Sequence, residues 1–192
     1  HKPIAVVKAG RSAAGARAAS SHTGALAASD SAVDALLAQA GVLRAGSIEE
    51  LFDIAMAFTV LDPPRGRRTA VVTNSGGPGV LAADALEEHG LELVDFMTDT
   101  VARLAPLYPP EASIRNPLDM IASADAPGYR AALDTILDDP RVDSAVAIFT
   151  PPMGVRTAEV AEAIGAAAAR RRDKPVLAVL MGREGLPQGK AE

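Results

Sequence analysis

The sequence predicts two α/β domains, each a three-layer arrangement with a mainly parallel sheet. Three observations carry this. Apolar runs at 4–7, 69–73, 144–149 and 175–181 are continuous, as in strands buried on both faces, and do not alternate with polar residues. Stretches of helical period follow the first three of them. One break, Pro63-Pro64-Arg65-Gly66-Arg67-Arg68, combines two helix-stopping prolines with a glycine and three arginines, and sets a linker at 63–68 between a domain at 1–62 and another at 69–192.

Before the break, Pro3 to Lys8 reads as a strand and Ala9 to Ser29 as a loop of small residues. Asp30-Ser31 caps a helix through Gln39, with Val33, Leu36, Leu37 and Ala40 on one face and Gly41 closing it. Val42-Leu43-Arg44 is a short strand. Ser47 and Glu50 have capping-box spacing and lead a helix with Ile48, Leu51, Phe52, Ala55 and Phe58 on one side. After the break, the strand at 69–73 turns through Asn74-Ser75-Gly76-Gly77-Pro78-Gly79 into a helix ending near His89-Gly90. A strand at 91–95, helices around 99–107 and 128–137, an extended segment at 114–119, a strand at 144–149, a helix at 157–172 and a strand at 175–181 complete the order. The chain opens directly into a strand without Met and stops soon after one, so it reads as an internal piece of a longer protein whose two domains are both incomplete at their outer ends.

Composition narrows the function. A net charge of −5 with 3% aromatic residues offers neither a basic face for phosphate backbones nor rings for base stacking, so nucleic acid is not an expected partner. No apolar run approaches the roughly 18 residues of a membrane span, so no membrane is expected either. The absence of cysteine removes thiolate chemistry and cysteine metal sites, and fits a reducing, cytoplasmic setting.

Two segments could carry chemistry. His22 lies in Ser20-Ser21-His22-Thr23-Gly24 among small residues that would neither bury nor wedge it. It reads either as an exposed structural histidine or as one facing an anion; without a His or acidic neighbour at ligand spacing, metal is not expected. Gly76, Gly77 and Gly79 follow a strand and open a helix, where free N–H groups and the helix dipole favour an anion. They could equally form only a tight βα turn, and neither nucleotide-binding glycine pattern, G-x-G-x-x-G nor G-x-x-x-x-G-K-[ST], is present. Asp119, in Asn116-Pro117-Leu118-Asp119, reads as a turn-forming side chain or a carboxylate near a site. His89 ends a helix and reads as a structural partner of its dipole.

Taken together, Lys8-Ala9-Gly10-Arg11, the run from Gly15 to Ala27 around Ser21-His22-Thr23-Gly24, Asn74-Ser75-Gly76-Gly77-Pro78-Gly79 and Asn116-Pro117-Leu118-Asp119 strongly resemble the NDP-forming acyl-CoA synthetases, relatives of succinyl-CoA synthetase. The resemblance covers essentially the whole chain. It implies two flavodoxin-like domains: the end of the one that carries the phosphohistidine loop, then the CoA-ligase domain. It further implies that acid, CoA and ATP interconvert with acyl-CoA, ADP and phosphate through an acyl phosphate and a phosphohistidine.

His22 falls on the histidine position. Neutral imidazole suits that task, being nucleophilic at physiological pH and forming a phosphoramidate that keeps transfer potential. Ser21, Thr23, Gly24, Gly76, Gly77 and Gly79 are then the expected phosphate-binding residues, with Asn116 and Asp119 in support. CoA, nucleotide and Mg²⁺ are expected to be held mainly by CoA-binding and ATP-grasp domains or subunits outside this chain, in an oligomeric assembly acting on a small carboxylic acid. The alternative is an acyl-CoA-synthetase-like regulatory module of a protein-lysine acetyltransferase.

Overall fold

The structure, a computed structural model, describes residues 2–23 and 29–181, with residues 20–23 described by backbone alone. The chain divides into two compact units, His1–Leu61 and Asp62–Glu192.

In the first unit, β1 (Ala5–Val7) pairs in parallel with β2 (Leu43–Ala45), Ala5 facing Leu43 and Val7 facing Ala45. The segment expected to be a loop contains a helix instead, α1 (Ala13–Thr23). The small residues read as loop-forming are mostly alanine, the strongest helix former. Ser12 supplies the missing start signal: its Oγ accepts the Gly15 N–H at 3.1 Å and its carbonyl accepts the Ala16 N–H at 2.8 Å. Gly10, at φ +88°, makes the turn that lets β1 reach it.

Helix α2 (Asp30–Gln39) ends where expected but starts earlier, capped by Ser29, whose Oγ accepts from Ala32 N–H, and is closed by Gly41 at φ +68°. Its start is tied to β2 by Arg44, a largely buried side chain that pairs with Asp30 at 2.6 Å and with Asp34. That pairing holds Asp30 below the usual carboxylate range.

Helix α3 (Ile48–Val60) begins at Ser47, whose Oγ accepts the Glu50 N–H at 3.1 Å, while Glu50 Oε2 accepts from Gly46 N–H. The expected apolar face is only partly used. Leu51 and Ile54 are half-buried, whereas Ile48 and Phe52 are each 65% exposed, because two short strands offer the helix only a narrow strip to cover.

The second unit is built on β3 (Arg68–Thr73), whose last five residues are buried. β4 (Glu92–Leu93) pairs in parallel with its first residues. β6 (Leu118–Asp119) pairs with Val72 and Thr73 at the other end of β3, and β5 (Ser113–Ile114) adds the one antiparallel pairing among the described strands. On the far side lie β7 (Ser144–Phe149) and β8 (Val176–Leu180), giving the order β5-β6-β3-β7-β8.

Helix α4 (Gly76–Glu88) packs on one face: a Cβ on Gly79 would stand 3.0 Å from Thr73 Cγ2. Ala70 and Val72 point to the opposite face. There, with Ala147 and Phe149 of β7, they meet α6 (Ala126–Asp138) and α7 (Thr157–Arg170) in the main core. Tyr129 anchors that core. Its hydroxyl donates to the Ile148 carbonyl at 2.7 Å, and its ring meets Phe149 edge-on at 5.6 Å.

β4 and β6 both lie beside β3 but do not overlap, and a side chain fills the gap between them. Asn116 Oδ1 accepts the Val71 N–H at 2.8 Å, while its Nδ2 donates to the carbonyls of Thr69 and Val94 at 2.8 and 2.9 Å. Asn116 thus replaces a missing piece of backbone ladder. The peptide bond from Asn116 to Pro117 is cis.

Elsewhere in this unit, α5 (Thr98–Leu104) and the end of α6 are tied through Asp139, which is 2% exposed. Its Oδ2 accepts from Met97 N–H and Thr100 Oγ1, and its Oδ1 from Arg141 N–H. Burial raises this carboxyl, but those donors and the nearby Lys174 charge bring it below the ordinary carboxylate range.

Candidate anion site at the start of α4

β3 feeds α4 on one face of the sheet and leads toward β4, while β7 feeds α7 on the other face and leads to β8. The space beyond the carboxyl ends of β3 and β7 is therefore the point where the winding reverses, the crevice where open α/β sheets bind ligands.

The residues that open α4 face this crevice with donors unused. Ser75 precedes the helix and its side chain makes no capping hydrogen bond; its N–H and C=O are both engaged by Thr73 Oγ1, each at 3.0 Å. Pro78 has no N–H, and Gly79 N–H makes only a 3.3 Å bond to Ser75 O. The N–H groups of Gly76 and Gly77 have no partner among the described residues. Two free donors at the positive end of a 13-residue helix favour an anion.

The three glycines are not equivalent. A Cβ on Gly79 would press on Thr73, so that position is needed for packing. A Cβ on Gly76 would stand 3.0 Å from Asp119 Oδ2, so the missing side chain admits the carboxylate. A Cβ on Gly77 would meet nothing within 4 Å, so that position is open.

Asp119 thus reaches the helix start while also forming a turn. Its Oδ1 accepts the Ile121 N–H at 3.0 Å, and Ile121 takes φ +60°. Asn116 lies deeper, with its polar atoms committed to backbone groups. Two residues that the sequence pattern did not single out hold the turn: Thr73, described above, and Asn74, whose side chain bonds the backbone of Thr150. Their signal lay in the pair of polar residues ending a buried strand just before the glycines.

In the first unit, Ser21, His22 and Thr23 occupy the last turn of α1, and their side chains are not described. Gly24 lies outside the described residues. His89 is the C-cap of α4, exposed at the negative helix end. Among the described residues no group of three or more His, Cys, Asp or Glu could hold a metal ion, and no helix is long and apolar enough to cross a membrane.

Comparison with known proteins covers both units. Residues 1–58 match the succinyl-CoA ligase like flavodoxin domain, and residues 69–188 match the Ligase-CoA domain. The chain is 44% identical over 184 residues to the alpha subunit of acetate–CoA ligase [ADP-forming] II of Pyrococcus furiosus, spanning 94% of this chain and 40% of the relative. It is 39% identical over 181 residues to the 4-hydroxybutyrate–CoA ligase [ADP-forming] of Nitrosopumilus maritimus, spanning 94% and 26%.

Among solved structures, the dinucleotide forming acetyl-coenzyme A synthetase 1 of Ca. Korarchaeum cryptofilum, in complex with phosphate and ADP, superposes with a TM-score of 0.88 at 34% identity. The match covers 95% of this chain and 39% of that one. The chain therefore spans two fifths or less of these relatives.

Proposed function

Because the chain belongs to the Ligase-CoA domain family of NDP-forming acyl-CoA synthetases, we propose that it is part of an enzyme converting acid, CoA and ATP into acyl-CoA, ADP and phosphate, and the reverse. The observation that carries this reading is the pair of free N–H groups at Gly76 and Gly77, opening α4 in a chain whose relatives are ADP-forming ligases.

In the acyl-CoA-consuming direction, a phosphate oxygen attacks the thioester carbonyl and CoA leaves as the thiol, giving an acyl phosphate. An imidazole nitrogen of His22 then attacks the phosphorus; the P–O bond to the acyl group breaks and the carboxylate leaves. Phosphohistidine finally passes its phosphoryl group to ADP. The start of α4 supplies fixed donors for the phosphate and the acyl phosphate. This suits phosphoryl transfer, where positioning and charge neutralisation do most of the work.

Ser21, Thr23 and Gly24 flank the histidine and complete the phosphate set. Asp119 limits the space beside Gly76, and Asn116 supports the sheet beneath it. CoA, nucleotide and Mg²⁺ are bound mainly by CoA-binding and ATP-grasp partners in a cytoplasmic oligomer. The acid is small, as acetate is for the Pyrococcus relative. A pocket that measures acid length distinguishes neighbours by only about 1–3 kcal/mol per methylene, so several short acids serve.

The test is an assay of full-length protein for acid-, CoA- and ATP-dependent formation of ADP and phosphate across a chain-length series. Production of AMP and pyrophosphate would overturn the phosphohistidine route. Lysine acetyl transfer without turnover of any acid would establish the regulatory-module alternative.

A further inference from the structure

The backbone pairing of β3 with β7 runs from Thr69 facing Ser144 to Thr73 facing Ile148, and then stops. The next residue of β3 continues the connection with its side chain. Asn74 is 2% exposed; its Nδ2 donates to the Thr150 carbonyl and its Oδ1 accepts the Thr150 N–H, both at 2.9 Å. This reciprocal pair imitates one more rung of the ladder at the point where the chains part, one toward α4 and the other toward α7.

Five aligned residue pairs already join these strands, so a sixth link adds little to the sheet itself. Its effect falls on the loop after β7. The segment 151–156 carries a fully exposed Met153 and a Gly154 at φ +89°; its backbone bonds among the described residues are the 3.4 Å bonds from Val155 N–H to Pro152 O and from Val160 N–H to Arg156 O, and Val155 packs against the core. Asn74 ties Thr150, the residue just before this segment, to the chain entering α4. Both polar atoms of Asn74 bond to Thr150, so the side chain holds the start of this loop.

We propose that Asn74 is a positioning residue for phosphoryl capture. It locks the loop after β7 against the opening of α4, so that the loop forms the second wall of the anion cradle at Gly76 and Gly77. The proposal rests on the phosphohistidine reading given above, and it distinguishes the two directions of that reaction. The cradle serves the step fed by phosphate and acyl-CoA, while phosphorylation from ATP is served by the nucleotide-binding partner.

The test uses full-length protein with Asn74→Ala, and Asn74→Asp beside it. The aspartate keeps the size and the acceptor for Thr150 N–H but replaces the donor to the Thr150 carbonyl with an acceptor. Histidine labelling is followed by rapid quench from radiolabelled inorganic phosphate plus acetyl-CoA, and separately from radiolabelled ATP. Labelling from phosphate should slow about 100-fold in both variants, the usual scale for displacing a reacting group by an ångström. Labelling from ATP should stay within about threefold of the parent, a split that a general loss of folding would not produce.

Equal loss by both routes, or no loss by either, overturns the positioning role while leaving the phosphohistidine reading intact. If Asn74→Ala does not fold, Asn74→Asp is read against the same outcomes. A parent that labels by neither route overturns the phosphohistidine reading, and this proposal with it.

Discussion

Asp119 and Gly76 meet where α4 begins: Asp119 Oδ2 lies 3.0 Å from the point a Cβ on Gly76 would occupy. A carboxylate at a helix N-terminus is favourable in itself. Here it also fills the place of a side chain at Gly76, whereas the Cβ position of Gly77 is open.

The glycine series follows from this asymmetry. Gly79→Ala should destabilise by about 1–3 kcal/mol, because the new methyl meets the buried Thr73 Cγ2 at 3.0 Å. Gly77→Ala should leave stability unchanged or raise it by up to about 1 kcal/mol, as it replaces a poor helix former in open space. Gly77→Val should slow histidine phosphorylation from phosphate and acetyl-CoA, at a cost of about 3 kcal/mol in the barrier if the donors act as a preorganised anion hole. Denaturant midpoints and rapid-quench labelling of the full-length variants read these separately. Normal labelling from phosphate and acetyl-CoA in Gly77→Val would leave the glycines as turn formers only.

For His22, the expected outcome is complete loss of an acid-labile, base-stable phosphoprotein in His22→Ala, together with loss of acyl-CoA synthesis. The unfolding midpoint should move little, since alanine suits α1 at this position. Labelling of His22→Ala at the parent's level would remove the residue from the mechanism.

Asn116→Ala should be among the more damaging single changes in the second unit. It withdraws three hydrogen bonds and strands Val71 N–H and two carbonyls. At about 1 kcal/mol for each bond, the loss is about 3 kcal/mol in denaturant unfolding. A loss under about 1 kcal/mol would show that β3, β4 and β6 close the gap without it.

Acid sensitivity should trace to Asp139 and Asp143. Hydrogen bonds from Arg68 are the largest influence lowering Asp143; at Asp139, donors from Met97, Thr100 and Arg141 outweigh the burial that raises it. Both folded values therefore lie below the unfolded value of about 3.9. Their contribution is complete above that value and is lost as the pH falls through the folded values. Unfolding midpoints should drop most steeply below about pH 4. Asp139→Asn should flatten that fall and cost about 2 kcal/mol at neutral pH, because its amide nitrogen would face donors. An unchanged acid profile in Asp139→Asn would place the sensitivity elsewhere.

Local chemistry was enough to read β3, β7 and α2 from the sequence, because a buried apolar run or a capped helix declares itself within ten residues. The glycines at 76, 77 and 79 declared a helix start for the same reason, and the family-specific residues around His22 pointed to phosphoryl transfer. The helix α1 was not legible: small residues suit both loops and helices, and the bonds that Ser12 accepts tip the balance only once the turn at Gly10 is made. Nor was the division of labour among the glycines, since Thr73 and Asp119 approach them through packing and through the pairing of β6 with β3. Asn116, expected from its extended segment to support the phosphate site, also stands in for backbone between two strands that do not overlap. Asn74 finds its partner 76 positions away. Sequence alone determined which segments form helices and strands where the signal is local; the tertiary structure decided which polar groups are spent on the scaffold and which remain free for an anion, because hydrogen bonds between distant residues exist only after the sheet has formed.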